Sequence, residues 1–152
     1  MTNTTREEVF VTEKPFETWF AYSAGTVCSE FLTELRDNKK ILGRKCPECG
    51  RVLVPARPTC ARCFRQTEGW REVGHTGTVV SYTAVYEPSP GRDNVQPALF
   101  GIIRLDGADT GFVHMLGEVD PKDLRVGLKV QAVFDEERQG DIRDIKYFKP
   151  LK

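Results

Sequence analysis

The sequence predicts a mostly β protein in which a short N-terminal helix and a zinc ribbon precede a five-stranded barrel of the OB-fold type. Two Cys-x-x-Cys pairs lie ten residues apart, and from Gly77 onward apolar residues recur with a period of two. Five segments of this kind, with a short helical element after the third, are the layout of a small Greek-key barrel. We expect an aromatic extension over residues 1–28, a helix and entry strand over 29–43, the ribbon over 44–74 and the barrel over 75–152.

The extension contains large aromatic side chains that follow neither a helical nor a strand period. They are Phe10, Phe16, Trp19, Phe20 and Tyr22. So many apolar side chains are rarely left exposed on a monomer, and their spacing is too irregular for a core. We therefore expect the extension to lie across a surface, either that of a partner or that of this chain's own barrel.

A short amphipathic helix is expected to follow the extension. Ser29 can cap its first turn, and Asp37-Asn38 would end it. Its apolar face is only three residues wide, which is enough to dock the helix but not to form a core. Together with the extension it gives the predicted partner surface: Phe16, Trp19, Phe20, Phe31, Leu32 and Leu35.

The cysteine pairs Cys46-Pro-Glu-Cys49 and Cys60-Ala-Arg-Cys63 have the spacing of two zinc knuckles. Four thiolates can then bind one Zn²⁺ in a tetrahedron, each at ~2.3 Å. Two disulfides are the alternative, but the chain opens with no apolar secretory segment, and a reducing cytosol keeps thiols free. We predict one structural zinc per chain and a cytoplasmic location.

The barrel is predicted from alternating apolar residues and turn signals. The expected strands cover residues 77–86, 98–106, 111–116, 128–134 and 142–148, with a Pro- and Gly-rich loop at 87–97 and a helical turn at 121–127. No apolar run approaches the ~20 residues that cross a bilayer, so no membrane partner is expected.

Charge is distributed unevenly although the net charge is zero. The segment 44–76 carries seven basic and three acidic side chains, whereas 77–151 carries nine basic and twelve acidic ones. The basic excess can offset the charge of −2 that four thiolates and Zn²⁺ leave. It can also bind an anionic ligand such as a nucleotide phosphate.

Residues that could form a catalytic site are scarce. The chain has two histidines, of which His75 lies in the link between ribbon and barrel and His114 within a strand. Cys28 has no histidine near it in sequence to lower its pKa. No nucleophile elbow, Walker loop or dinucleotide-binding glycine motif is present. We therefore expect no activity from this chain alone.

A zinc ribbon with an OB-fold also raises nucleic-acid binding. Tyr82, Tyr86, Phe100 and Phe112 could form a platform on which bases stack. The barrel segment is net acidic, however, and a groove that follows phosphates needs positive charge. We expect no nucleic acid.

Several motifs together carry a family resemblance. They are Phe31-Leu32-x-x-Leu35, Cys46-Pro-x-Cys49-Gly50, Pro55-x-Arg57-Pro58-x-Cys60-x-x-Cys63 and Gly77-Thr78-Val79-x-Ser81-Tyr82-Thr83. They resemble the rubredoxin-like zinc-ribbon plus OB-fold proteins catalogued as domain of unknown function 35, over about residues 29–150. Phe64 departs from the usual residue after the second knuckle, which puts the geometry of that turn in question.

The resemblance implies a function that the residues alone do not specify. Members of this family accompany thiolases and related acyl-CoA enzymes as non-catalytic subunits that bind the enzyme and help to hold its CoA thioester. The resemblance thus implies a hetero-oligomer with a thiolase-like catalytic subunit, and makes Arg44, Arg57 and Arg62 candidates for binding CoA. The long extension resembles most that of one subgroup of thiolase small subunits. The alternatives are a nucleic-acid-binding protein and a free-standing acyl-CoA carrier or sensor.

Overall fold

Strands make up most of the regular structure, and one α-helix precedes them. The computed structural model describes residues 10–86 and 97–151, so the predicted loop at 87–97 lies outside the described residues except for its last position. The elements are α1 (Thr26–Asn38), β1 (Ile41–Lys45), β2 (Val52–Leu53), β3 (Glu68–Val73), β4 (Thr76–Val85), β5 (Ala98–Leu105), β6 (Gly111–Leu116), β7 (Lys129–Phe134), a 3₁₀ turn (Ile142–Asp144) and β8 (Ile145–Pro150).

Helix α1 begins three residues before the predicted cap. Gly25 is the N-cap residue, with φ of 77°, and no side chain caps the first turn. The prediction that Ser29 caps the helix is therefore wrong, and Cys28 lies in the first turn of α1. The helix ends at Asn38, as predicted. Within the described residues no helix is long and apolar enough to cross a membrane.

The ribbon is a three-stranded antiparallel sheet in the order β2-β1-β3. Strand β1 begins in the segment where the entry strand was expected. Strand β3 was not predicted, because its sequence is largely polar and lacks a clear alternation. It forms by pairing along the whole of β1, from Ile41 opposite Val73 to Lys45 opposite Glu68.

The barrel is closed, with its strands in the order β4-β5-β6-β8-β7 and β7 pairing back to β4. All neighbours are antiparallel except β6 and β8, which is the strand order of an OB-fold. Residues 121–127, where a helical turn was expected, contain two turns. One local prediction is wrong. Strand β8 begins at Ile145, because the preceding residues form a 3₁₀ turn with a capping box between Asp141 and Asp144.

One continuous core joins the helix, the base of the ribbon and the barrel. Inward positions alternate strictly on β6, where Phe112, His114 and Leu116 are buried. The same cluster includes the following residues outside the barrel: Phe31, Leu35, Ile41, Leu42, Val54, Ala56 and Val73. The helix therefore packs against its own chain.

The turn between β5 and β6 fixes the ribbon to the barrel. The Asp109 carboxylate accepts a hydrogen bond from the Val52 N–H at 2.8 Å, and the Asp109 N–H donates to the Val52 carbonyl at 2.9 Å. The Thr110 hydroxyl accepts from the Val54 N–H and donates to the Val54 carbonyl, both at 2.8 Å. These backbone contacts set one orientation of the ribbon on the barrel.

Candidate metal centre and binding surfaces

The two cysteine knuckles share one hydrogen-bond pattern. The Gly50 N–H donates to the Cys46 carbonyl, and the Phe64 N–H donates to the Cys60 carbonyl, each at 2.9 Å. Both turns place the residue after the second cysteine in the left-handed region, with φ of 72° at Gly50 and 54° at Phe64. The second turn thus keeps the geometry of the first, although phenylalanine adopts this conformation at a cost that glycine avoids.

The thiols of Cys46, Cys49, Cys60 and Cys63 all lie within 4.8 Å of one another. The Sγ atoms of Cys49 and Cys60 are 3.8 Å apart. This matches the edge, about 3.8 Å, of a tetrahedron whose centre lies ~2.3 Å from each sulfur. Cys46 and Cys60 are buried and the other two are half-buried. The four cysteines fit one structural zinc, and the complete set of protein ligands leaves no position for a reacting water.

The pKa values of two of the four thiols are shifted in opposite directions. Backbone N–H groups of Cys63 and Arg62 donate to the Cys60 thiol and lower its pKa. Burial, followed by the neighbouring Cys49, raises the pKa of Cys63. Four thiolates cannot share this small space without a cation, whereas a bound divalent metal stabilises all of them in the deprotonated form.

The three arginines predicted to bind CoA differ in their surroundings. Arg44 is half-buried, donates to the carbonyl and hydroxyl of Thr67, and lies over the Trp70 ring with its guanidinium carbon 4.9 Å from the centroid. It therefore ties β1 to β3. Arg57 and Arg62 are exposed, and in the described part of the chain no ion pair engages them. The guanidinium groups of Arg57 and Arg62 can therefore bind an anionic ligand, whereas that of Arg44 is already engaged.

The predicted partner surface divides into two parts. Phe31 and Leu35 are 1% and 0% exposed and lie in the chain's own core. The prediction that these two residues contact a partner is wrong, and both are core residues. The apolar face of α1 is covered by β1 and the barrel of the same chain. Leu32 is half-buried at the edge of the same core.

The aromatic residues of the extension remain outside the core. Phe16, Trp19 and Phe20 are 77–94% exposed, and residues 10–25 form no helix or strand. The Phe20 and Tyr22 rings stack on each other with centroids 6.0 Å apart. Within the described residues the extension does not fold back over the barrel.

The barrel carries an apolar surface of which only Tyr82 and Phe100 were considered from the sequence. We call it the barrel strip: Tyr82, Phe100, Ile102, Val113, Met115 and Ile142, all exposed or half-buried. Part of it lines a groove of about 300 Å³ between β6 and the 3₁₀ turn, with Arg143 and Lys146 at its edge. Strand β6 contained the signal, because Val113 and Met115 are apolar at outward positions between inward apolar residues.

The histidines have structural surroundings. His114 is buried between the Phe112 and Phe148 rings, its Nε2 lies 3.2 Å from the Ile142 carbonyl oxygen, and burial lowers its pKa. His75 packs edge-on against Phe134, with centroids 4.9 Å apart. Phe112 is itself fully buried, so the four-residue stacking platform considered for nucleic acid is not formed.

These features define a class of protein in which a zinc ribbon with four cysteine ligands precedes a closed OB-fold barrel. Two family models match adjacent parts of the chain: the ChsH2 rubredoxin-like zinc ribbon domain over residues 33–68 and the ChsH2 C-terminal OB-fold domain over residues 70–135. A DUF35 domain-containing scaffold protein from Methanothermobacter thermautotrophicus is 30% identical over 117 residues, which cover 72% of this chain and 86% of that protein. The chain belongs to the DUF35 scaffold protein family.

Further comparisons agree with this assignment. A DUF35 domain-containing scaffold protein from Methanocaldococcus jannaschii is 28% identical over 124 residues, covering 78% of this chain and 86% of that protein. A solved DUF35-family protein from Sulfolobus solfataricus has a TM-score of 0.58 and 32% identity, covering 72% of this chain and 78% of that one. A solved structure described as an Ltp2-ChsH2(DUF35) aldolase has a TM-score of 0.60 at 20% identity, covering 85% and 98%.

Proposed function

We propose that this chain is a non-catalytic accessory subunit that docks on a thiolase-type catalytic subunit and helps to bind its CoA thioester. The observation that carries the proposal is the exposed aromatic extension. The helix, ribbon and barrel share one core without it, so its aromatic side chains are available to a partner. Membership of a scaffold family supports it. So does the solved neighbour of the same fold, in which a ChsH2 DUF35 chain forms an aldolase with Ltp2.

The extension has the properties of a docking arm. Residues 10–25 can span up to ~50 Å when extended. Trp19 at 94% exposure and the neighbouring phenylalanines are side chains of the kind that supply most of the binding energy at interfaces. The barrel strip offers a second apolar contact, and the backbone clamp at Asp109 and Thr110 would hold ribbon and barrel as one rigid platform.

The contribution to CoA binding would come from the ribbon. Arg57 and Arg62 present free guanidinium groups, which are well suited to phosphate oxygens. Arg44 supports them indirectly by bracing β1 against β3. The thiolase-like partner would supply the nucleophile and base.

The narrower proposal is the small subunit of benzoylsuccinyl-CoA thiolase, which acts in anaerobic toluene degradation. It is supported by the long aromatic extension, which resembles that subgroup most.

Deleting residues 1–24 tests the docking role while leaving Gly25 to begin α1. The tagged parent chain, expressed in its native cells, should recover a polypeptide that peptide mass spectrometry identifies as a thiolase. The truncated chain should keep one zinc and its melting temperature but lose this polypeptide. Trp19→Ala should weaken recovery, and Arg125→Gln, an exposed barrel residue, should not. A truncated chain that recovers the thiolase normally and merely melts earlier would show that the extension belongs to this chain's own fold.

A further inference from the structure

The tip of the second knuckle carries a residue that the local fold does not explain. Phe64 has a left-handed backbone, and its side chain is 82% exposed. Gly50 occupies the matching position of the first knuckle, with the same hydrogen bond and no strain. A left-handed phenylalanine costs stability, and an exposed ring recovers little of it through burial. The ring is therefore available to a ligand outside the chain.

Unpaired positive charge lies on the same segment of the chain as this ring. Residues 57–67 contain three arginines and no acidic residue. Arg57, Arg62 and Arg65 are exposed, and within residues 10–86 and 97–151 no ion pair or side-chain hydrogen bond engages their guanidinium groups. The zinc–thiolate charge of −2 offsets only half of the excess of four basic side chains over residues 44–76.

An exposed aromatic ring flanked in sequence by unpaired arginines matches the chemistry of a purine nucleoside phosphate. The ring can stack on the base, and the arginines can hold phosphate oxygens through paired hydrogen bonds. An inorganic anion would use the arginines but leave the ring without a role. Docking on an acidic protein surface would use the ring as well, and direct binding of adenosine 3′,5′-bisphosphate to the isolated chain distinguishes the two.

We propose that the knuckle tip, formed by Phe64 with Arg62 and Arg65, binds an adenosine phosphate group by stacking on the base and pairing with the phosphates. Arg57, beyond the Thr59–Gln66 bridge of the same hairpin, supplies a further cation. The choice of CoA as the carrier of that group rests on the proposed function, since free ADP shares the chemistry. Phe64 thus adds a base-binding side chain to Arg57 and Arg62, which were predicted from the sequence to bind CoA.

Phe64→Gly is the decisive variant, because it removes the ring and relieves the strained backbone together. It should keep one equivalent of zinc and melt no lower than the parent. Its dissociation constant for adenosine 3′,5′-bisphosphate should rise about fivefold or more, the lower end of what one base–aromatic stack contributes. Arg65→Gln should also weaken binding, whereas Arg125→Gln on the barrel should not.

Isothermal titration of the full zinc-loaded chain with CoA, adenosine 3′,5′-bisphosphate, ADP, pantetheine and pyrophosphate separates the sources. CoA and adenosine 3′,5′-bisphosphate should bind and compete, and pantetheine should not bind. Equal affinity for ADP would support the site but assign it to nucleotides in general. The proposal is overturned if the parent binds neither CoA nor the bisphosphate, if Phe64→Gly binds as tightly as the parent, or if pyrophosphate binds as tightly as the bisphosphate. Recovery of the thiolase by the same variants reports separately on docking.

Discussion

Replacing Phe31 by alanine should destabilise the whole protein, because this side chain lies in the shared core. Phe31 is 1% exposed and packs in the cluster that joins α1 to Ile41 and the barrel. Cutting a buried phenylalanine to alanine removes its transfer free energy and leaves a cavity, which together cost about 3–5 kcal/mol. For a chain of this size each kcal/mol lowers the melting temperature by about 2–4 °C. The expected drop in melting temperature is therefore roughly 6–20 °C.

The assay is thermal and urea unfolding of the isolated zinc-loaded chain, followed by circular dichroism. Trp19→Ala is the matched control, because it removes an aromatic side chain that is almost fully exposed, and its free energy of unfolding should change by less than about 0.5 kcal/mol. A Phe31→Ala chain that melts within about 2 °C of the parent but loses its partner would refute the assignment of this residue to the core. It would return the apolar face of α1 to the partner surface.

Three further outcomes follow from the structure. Cys60→Ser should lose the zinc equivalent in metal analysis and unfold the knuckles, because the three remaining thiolates leave the tetrahedral coordination incomplete; unchanged zinc content would contradict the site. Gly77→Ala should cost about 1–3 kcal/mol of unfolding free energy, since its Cβ would lie 2.7 Å from the Arg104 carbonyl oxygen, whereas Gly74→Ala meets nothing closer than 3.5 Å; equal stability of the two would count against the packing described. Burial lowers the pKa of His114, so the unfolded state takes up this proton first as pH falls. The unfolding free energy should therefore decline below about pH 6.5, and a decline of equal size in His114→Gln would exclude this histidine as its cause.

Much of the fold could be predicted because its cues are local. The paired spacing of Cys46, Cys49, Cys60 and Cys63 predicts a metal site once disulfides are disfavoured. Strand β6, and β5 from Leu99 onward, alternate more and less buried positions with a period of two, so their inward faces follow from the order of residues.

The remaining features depend on contacts between distant segments. The apolar face of α1 indicates that something covers it, but only the fold shows that the cover is this chain's own β1 and barrel. Strand β3 exists because β1 offers it an edge to pair with. Helix α1 begins at a glycine cap with no side-chain hydrogen bond, so Ser29 looked like the stronger cap in sequence. The sequence does not distinguish the roles of Arg44 and Arg57. In the structure Arg44 lies over the Trp70 ring and is engaged within the ribbon.

Whether this chain is the accessory subunit of a thiolase can be read from the mass and composition of the untagged native complex. Both are measured by size-exclusion chromatography with light scattering and by peptide mass spectrometry. We predict that this 17.2 kDa chain elutes with a thiolase in fixed stoichiometry, and that acyl-CoA turnover requires both polypeptides. Elution as a free 17.2 kDa chain with no thiolase present would contradict it. So would turnover of an acyl-CoA by the pure chain alone.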